Sequence, residues 1–181
     1  QADEVLIATD DPAVAEVARG FGAEVVMTAA AHQSGTDRLA EVAALRAWAD
    51  DTLLVNLQGD EPLMPPALLD AAAALLASDA AADIATFAHP LEDPAHFANP
   101  NIVKVVRDVR GHALYFSRAP IPYWRDGNGQ MPGAPSPLRH IGLYAYRVAA
   151  LKRFSALPPA PLEVCEALEQ LRALTHGLCI Q

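Results

Sequence analysis

Short apolar runs alternate with longer segments of helical period along the first half of this chain, and each run stops at an acidic or glycine-containing turn. Glu4 to Thr9 (EVLIAT) closes at Asp10-Asp11-Pro12. Pro12 suits the first turn of a helix reaching about Gly20, with Asp10 or Asp11 as its cap. Glu24 to Met27 is a second short strand. Ser34-Gly35-Thr36 then leads into a helix from Asp37 to about Ala49, with Leu39, Val42, Ala43 and Leu45 on one face. Thr52 to Leu57 (TLLVNL) is a third strand, running straight into Gln58-Gly59-Asp60-Glu61-Pro62. Strand, helix, strand, helix, strand with short connections predicts an α/β sandwich on a mainly parallel sheet covered on both faces.

Farther on, Pro65-Pro66 opens an Ala/Leu helix to about Ser78, and Asp83 to His89 is another strand. Ile102 to Arg107 and His112 to Phe116 flank Asp108-Val109-Arg110-Gly111 as a hairpin. Trp124 to Pro137, rich in Gly, Pro and Asn, is a loop. Arg139 to Tyr146 is a strand, Leu162 to Thr175 an amphipathic helix, and Gly177 to Gln181 the opening of one more strand. The hairpin sits badly in a parallel sheet and suggests a small antiparallel lobe, with a dimer contact as its expected use.

The 181 residues suit one domain, or one domain with a small lobe. A formal charge of −9 argues against a nucleic-acid surface, which needs clustered Lys and Arg. A nucleotide substrate stays compatible, because a few placed cations and a divalent ion can hold phosphates. The longest apolar stretch, Ala71 to Ala77, is far short of the roughly 20 residues that span a bilayer. Cys165 and Cys179 form no disulfide framework, so a reducing cytoplasm is the expected location. Their spacing to His32, His89, His96, His112 and His176 fits no zinc pattern.

In an open α/β sheet, ligands bind beyond the carboxyl ends of the strands. Two such ends carry carboxylates here, Asp10-Asp11 and Asp60-Glu61. Gly59 lets the chain turn so that Asp60 can project into the crevice. Magnesium takes oxygen ligands and usually one or two protein carboxylates beside substrate phosphates, which makes Asp60 the candidate metal ligand. A turn with an acidic helix cap explains the same residues. Ser34, Gly35 and Thr36 could expose backbone N–H groups to a phosphate or base; a plain helix cap fits the spacing better. Arg118, Arg139 and His140 are cations in apolar strand contexts; a buried Arg would be satisfied by an anionic substrate or a salt bridge, whereas His140 taken alone is more often a hydrogen-bonded structural histidine than a ligand. Glu163 and Glu166 read as a solvated acidic face of the 162–175 helix.

Six ordered segments carry the reading further. His32 to Val42 (HQSGTDRLAEV) and Val55 to Pro62 (VNLQGDEP) come first, then NPNIVKVV from Asn99, ALYFSRAPIP from Ala113, LRHIGLYAYR from Leu138 and PLEVCEALEQLRAL from Pro161. In this order the chain resembles the 3-deoxy-manno-octulosonate (Kdo) cytidylyltransferases throughout its length. The resemblance implies a three-layer α/β/α sandwich on a mixed sheet, the nucleotide-diphosphosugar transferase fold, as a homodimer. It implies CTP and Kdo as substrates, CMP-Kdo and pyrophosphate as products, Mg²⁺ as cofactor, and a place in lipopolysaccharide synthesis. Asp60 would be catalytic and a metal ligand. Gln58, Arg118, His140, Tyr144, Glu169 and Gln170 would line the Kdo pocket, with Ser34, Gly35 and Thr36 near the cytidine. A cytidylyltransferase for 8-amino-Kdo or a sialic acid, or a non-catalytic binding remnant, are the alternatives.

The family's Pro-Ala-Arg…Arg-Leu-Pro-Gly-Lys-Pro phosphate loop and its Asp-Thr-Pro-Glu-Asp-Leu segment have no match in residues 1–181. The expectation is a single domain without those two pieces, inactive as the bare chain, with residues 99–146 including the dimerising lobe.

Overall fold

A computed structural model describes residues 2–32, 34–59, 61 and 63–181. The elements in chain order are β1 (Leu6–Thr9), α1 (Pro12–Gly20), β2 (Glu24–Met27), α2 (Gly35–Leu45), β3 (Leu53–Asn56), α3 (Pro66–Ser78) and β4 (Ile84–Pro90). They continue with α4 (Pro94–Ala98), β5 (Lys104–Arg107), β6 (Ala113–Ser117), β7 (Leu138–Arg147), α5 (Val148–Ser155), α6 (Pro161–Glu166) and α7 (Gln170–Thr175).

Local chemistry accounts for the helix starts. The Asp11 side chain accepts from the Ala13 and Val14 amides and Pro12 opens α1. Ser34 accepts from the Asp37 amide at 3.1 Å to cap α2, and Asp93 caps α4 ahead of Pro94. Each such cap satisfies amides that have no partner within the helix.

Strand pairing is mixed, but less parallel than the first half of the sequence predicts. β1 and β2 pair in parallel. β3 and β4 both run antiparallel to β7, as does β5, and β5 pairs antiparallel with β6. The reason is β7. It is ten residues long, arrives late in the chain, and lies between β3 and β4, so it contributes antiparallel partners that no local βαβ rule anticipates. The hairpin β5–β6 is antiparallel as expected, and it joins the main sheet through Lys104 opposite Arg139 and Val105 opposite Leu138. Residues 179–181 add a short parallel bridge to Ile84 and accept the Ala113 amide, linking β4 to β6.

Alternation along the strands sorts side chains to two faces. Ala85, Leu143 and Ala145 meet Ala72 and Leu76 of α3 on one side. Ile84, Tyr146 and Leu54 face Ala43 of α2, Leu151 and Phe154 of α5, and Leu171 of α7 on the other. The result is helix, sheet, helix: a three-layer sandwich. Burying a side chain such as Leu76 or Leu143 contributes about 1.5–3 kcal/mol. None of the helices among the described residues is long and apolar enough to cross a membrane.

The helix expected over 162–175 is two helices. Ala167 adopts a left-handed conformation (φ 50°, ψ 51°) and ends α6, and α7 starts three residues later. Glu163 and Glu166 are not a solvated face. Glu163 accepts from the Ala160 amide and from Arg172 Nε at 2.9 Å. Glu166 accepts from Ser117 Oγ at 2.6 Å and from the Arg118 amide at 2.8 Å. Charged groups facing β6 and α7 pull the segment apart where helical periodicity alone would continue it. The α2 helix also stops earlier than expected, at Leu45, with Ala47 left-handed at φ 52°.

Candidate active site

A row of polar side chains crosses the layer between the sheet and α2, α6 and α7. It begins at Thr36 in the first turn of α2, whose hydroxyl donates to Glu169 Oε2 at 2.7 Å. The Tyr146 phenol engages the same hydroxyl. Tyr146 stacks on Tyr144 with ring centroids 5.9 Å apart, and Tyr144 lies 5.4 Å from the His140 ring. Tyr144 and Tyr146 share a face because they are two apart on β7. Phe116 of β6 meets the His140 ring edge-on at 5.1 Å.

The three rings that β7 contributes to this row, His140, Tyr144 and Tyr146, make an uncharged, hydrogen-bonding wall beside the Glu169 carboxylate. Burial holds the His140 imidazole down to about 4, so the ring is uncharged at neutral pH. This corrects the expectation of a cation at that position. Burial, with the other phenol and Glu169 nearby, pushes Tyr144 well up, and burial likewise raises Tyr146. Both phenols stay protonated and can donate. Glu169 Oε1 is buried with no hydrogen-bond partner among the described residues, an acceptor left over beside the wall.

Arg118 lies at the end of β6, half-buried. Its Nε donates to the Glu166 carbonyl at 2.6 Å, Nη1 to the Pro100 carbonyl at 2.9 Å and Nη2 to the Ala167 carbonyl at 3.2 Å. A guanidinium has five N–H donors, so one remains on each terminal nitrogen. Beneath it, Lys104 is fully buried, and its Nζ donates to the carbonyls of Asn99, Ile102 and Arg118 at 3.0, 2.6 and 2.6 Å. Burial lowers the Lys104 pKa, opposed by Glu166 and assisted by Arg118. This ammonium ties the 99–102 turn to the end of β6, and Glu166 ties β6 to the break after α6. Arg118 and Glu169 are positioned by that frame.

The expected site residues divide accordingly. Thr36, His140, Tyr144 and Glu169 come together in one row. Gln170 follows Glu169 and opens α7, half-buried. Ser34 serves as the α2 cap and Gly35 is exposed beside it. Gln58 is exposed just beyond β3, whose last residue, Asn56, lies opposite Tyr144. Asp60 lies outside the described residues. Arg139 is exposed on β7.

Sequence reasoning missed Tyr146, Thr86, Lys104 and the Arg38 group. Arg38 pairs with Asp10 at 2.8 Å and bonds Thr28, joining α2 to the ends of β1 and β2. Tyr146 carried a signal, the i, i+2 spacing to Tyr144. Lys104 carried the one that singled out Arg118, a cation within an apolar strand. Thr86 carried none.

An α/β sandwich with a buried row of polar rings is an architecture shared by many enzymes, and the comparisons narrow that class. The profile of the cytidylyltransferase family matches residues 1–180, and the chain belongs to that family. It is 54% identical over 184 aligned positions to the 3-deoxy-manno-octulosonate cytidylyltransferase of Halorhodospira halophila (strain DSM 244 / SL1), covering 99% of this chain and 72% of the relative. A solved structure of CMP:2-keto-3-deoxy-manno-octonic acid synthetase complexed with CTP superposes with a TM-score of 0.90 at 42% identity. That superposition covers 99% of this chain and 71% of the other.

Proposed function

We propose that this protein transfers CMP from CTP to 3-deoxy-D-manno-octulosonate, giving CMP-Kdo and pyrophosphate for lipopolysaccharide synthesis. The observation that carries the reading is the 54% identity to a 3-deoxy-manno-octulosonate cytidylyltransferase over 99% of the chain. The wall chemistry supports it. A sugar acid presents several neutral hydroxyls and one carboxylate. Uncharged His140, the two protonated phenols and the leftover Glu169 oxygen suit the hydroxyls. The N–H remaining on each terminal nitrogen of Arg118 suits a carboxylate taken side by side.

In the reaction the anomeric hydroxyl of the sugar acid attacks the α-phosphorus in line and pyrophosphate leaves. The protein's part is to hold the two substrates in register and to stabilise charge. Gln58, Arg118, His140, Tyr144, Glu169 and Gln170 orient the sugar acid; Ser34, Gly35 and Thr36 stand toward the cytidine.

Among the described residues, no three or more His, Cys, Asp or Glu side chains gather where they could hold a metal ion. Magnesium completed by triphosphate oxygens and water needs only one or two protein carboxylates, and Asp60, which follows β3 in the sequence, is the residue proposed to supply one. When bound, the ion would polarise the phosphoryl oxygen. Asp60→Asn is expected to lower kcat at least about a hundredfold at saturating Mg²⁺ with the fold intact. A loss under about fivefold would make Asp60 a helix cap only.

We further propose a cytoplasmic homodimer joined through the 99–146 lobe, where Leu114, Tyr123 and Trp124 are exposed. Light scattering of the full-length gene product tests this; a monomer at micromolar concentration contradicts it. The substrate assignment is tested by pyrophosphate release with CTP and a panel of sugar acids. Kdo should give the highest kcat/KM, and faster turnover of N-acetylneuraminate would overturn the reading.

A further inference from the structure

The hydroxyl of Thr86 is surrounded by three groups on β7. His140 Nε2 is 3.0 Å away, the Ile141 carbonyl oxygen 3.1 Å and the Leu143 carbonyl oxygen 2.9 Å. A hydroxyl carries one hydrogen, and carbonyl oxygens only accept. If that hydrogen pointed at Nε2, the oxygen would lie against two carbonyl lone pairs with no proton between them. The satisfied arrangement sends the hydrogen to a carbonyl and leaves the Thr86 oxygen to accept from a protonated Nε2. An imidazole protonated on Nε2 keeps its acceptor lone pair on Nδ1.

The backbone fixes this contact. The β4–β7 register slips between Thr86 and Phe87, so Thr86 pairs with Tyr144 while Phe87 pairs with Ile141. The two extra residues on β7 bulge, and a bulge re-aims side chains and frees carbonyls beside it. Both the Ile141 and Leu143 carbonyls turn to the Thr86 hydroxyl at this point. Burial keeps the ring uncharged, which makes the choice of tautomer consequential.

From this geometry we infer that Thr86 is a positioning residue, which holds His140 in its Nε2–H tautomer so that Nδ1 accepts a hydroxyl of the sugar acid. The inference rests on the proposed function for its substrate class, while the tautomer stands on the protein alone. Valine at position 86 would keep the shape and remove the acceptor.

Long-range ¹H–¹⁵N spectra of histidine-labelled full-length protein at neutral pH, without substrate, report the tautomer directly. The His140 ring is expected to be protonated on Nε2 in the parent and in Thr86→Ser. In Thr86→Val it should populate both tautomers. The KM for the sugar acid should rise about tenfold in Thr86→Val, the KM for CTP should stay within about twofold, and Thr86→Ser should restore the parent value. A parent ring protonated on Nδ1 overturns the assignment whether or not the valine protein folds. So does a folded Thr86→Val protein with parental tautomer and sugar-acid KM. Failure of Kdo as substrate, with the tautomer result intact, would count against the proposed function and not against the Thr86 contact.

Discussion

His140 illustrates how burial decides what a residue can do. An unfolded chain takes a proton on this imidazole near pH 6.5, whereas the folded ring takes one only near 4. Between those values the unfolded state holds more protons, so stability rises with pH. The contribution, about 3 kcal/mol, is complete above pH 6.5 and gone below 4. Glu41, Asp79, Asp108, Glu163 and Glu166 all have lowered pKa values, so their acid losses begin at about pH 5, where the unfolded carboxylates start to take up protons, and continue below the ordinary carboxylate range. Urea denaturation as a function of pH should therefore show the parent weakening from pH 6.5 to 4.5, and His140→Gln should flatten that interval. An equal slope in both proteins would place the proton elsewhere. Burial lowers the Lys104 pKa as well, and backbone carbonyls meet its ammonium. Its three carbonyl partners would be left facing a methyl group in Lys104→Met, at a cost of about 2–4 kcal/mol by denaturation. Legibility at this scale depended on chemistry that stands out against its strand. Arg118 and His140 did so, but His140's charge state did not, because it is set by groups from β4 and β6 that are distant in sequence.

The strands and helices were legible wherever one local device defines an end. Pro12 after Asp11, and Pro66 after a first proline, start helices at the residues expected, and β2 spans Glu24–Met27 as the apolar run implies. The α6–α7 break was not legible, since Leu162 to Thr175 keeps its apolar period through Ala167. What interrupts it is tertiary: Glu166 is held by β6 and Glu163 by Arg172. An alanine in a left-handed conformation carries a steric cost that glycine does not. Ala167→Gly should raise stability by about 0.5–1 kcal/mol in chemical denaturation while leaving kcat and both KM values near parental. A destabilised Ala167→Gly protein would mean that Ala167 does not hold this backbone geometry. The antiparallel course of β3 and β4 was hidden for a similar reason. It comes from β7, more than eighty residues beyond β3.

The whole molecule places uncharged polar rings of β7, with the Glu169 carboxylate ahead of α7, against the start of α2, and Arg118 is fixed at one side by Lys104 and Glu166. That arrangement favours a polyhydroxylated acid on the wall side and a nucleotide toward α2 and the ends of β1 to β3. The fold class was readable from alternating periods, and the substrate came only from six ordered segments, because hydroxyl recognition by neutral groups leaves little trace in composition or charge. The central claim is a new bond between the anomeric oxygen of Kdo and the α-phosphorus of CTP. ³¹P and ¹³C spectra of full-length protein turning over CTP and Kdo labelled at its anomeric carbon observe that bond. The account predicts a phosphodiester phosphorus coupled to the labelled carbon, formed in step with free pyrophosphate. Pyrophosphate released without that coupling, or CTP left intact with Kdo while another sugar acid is consumed, would contradict it.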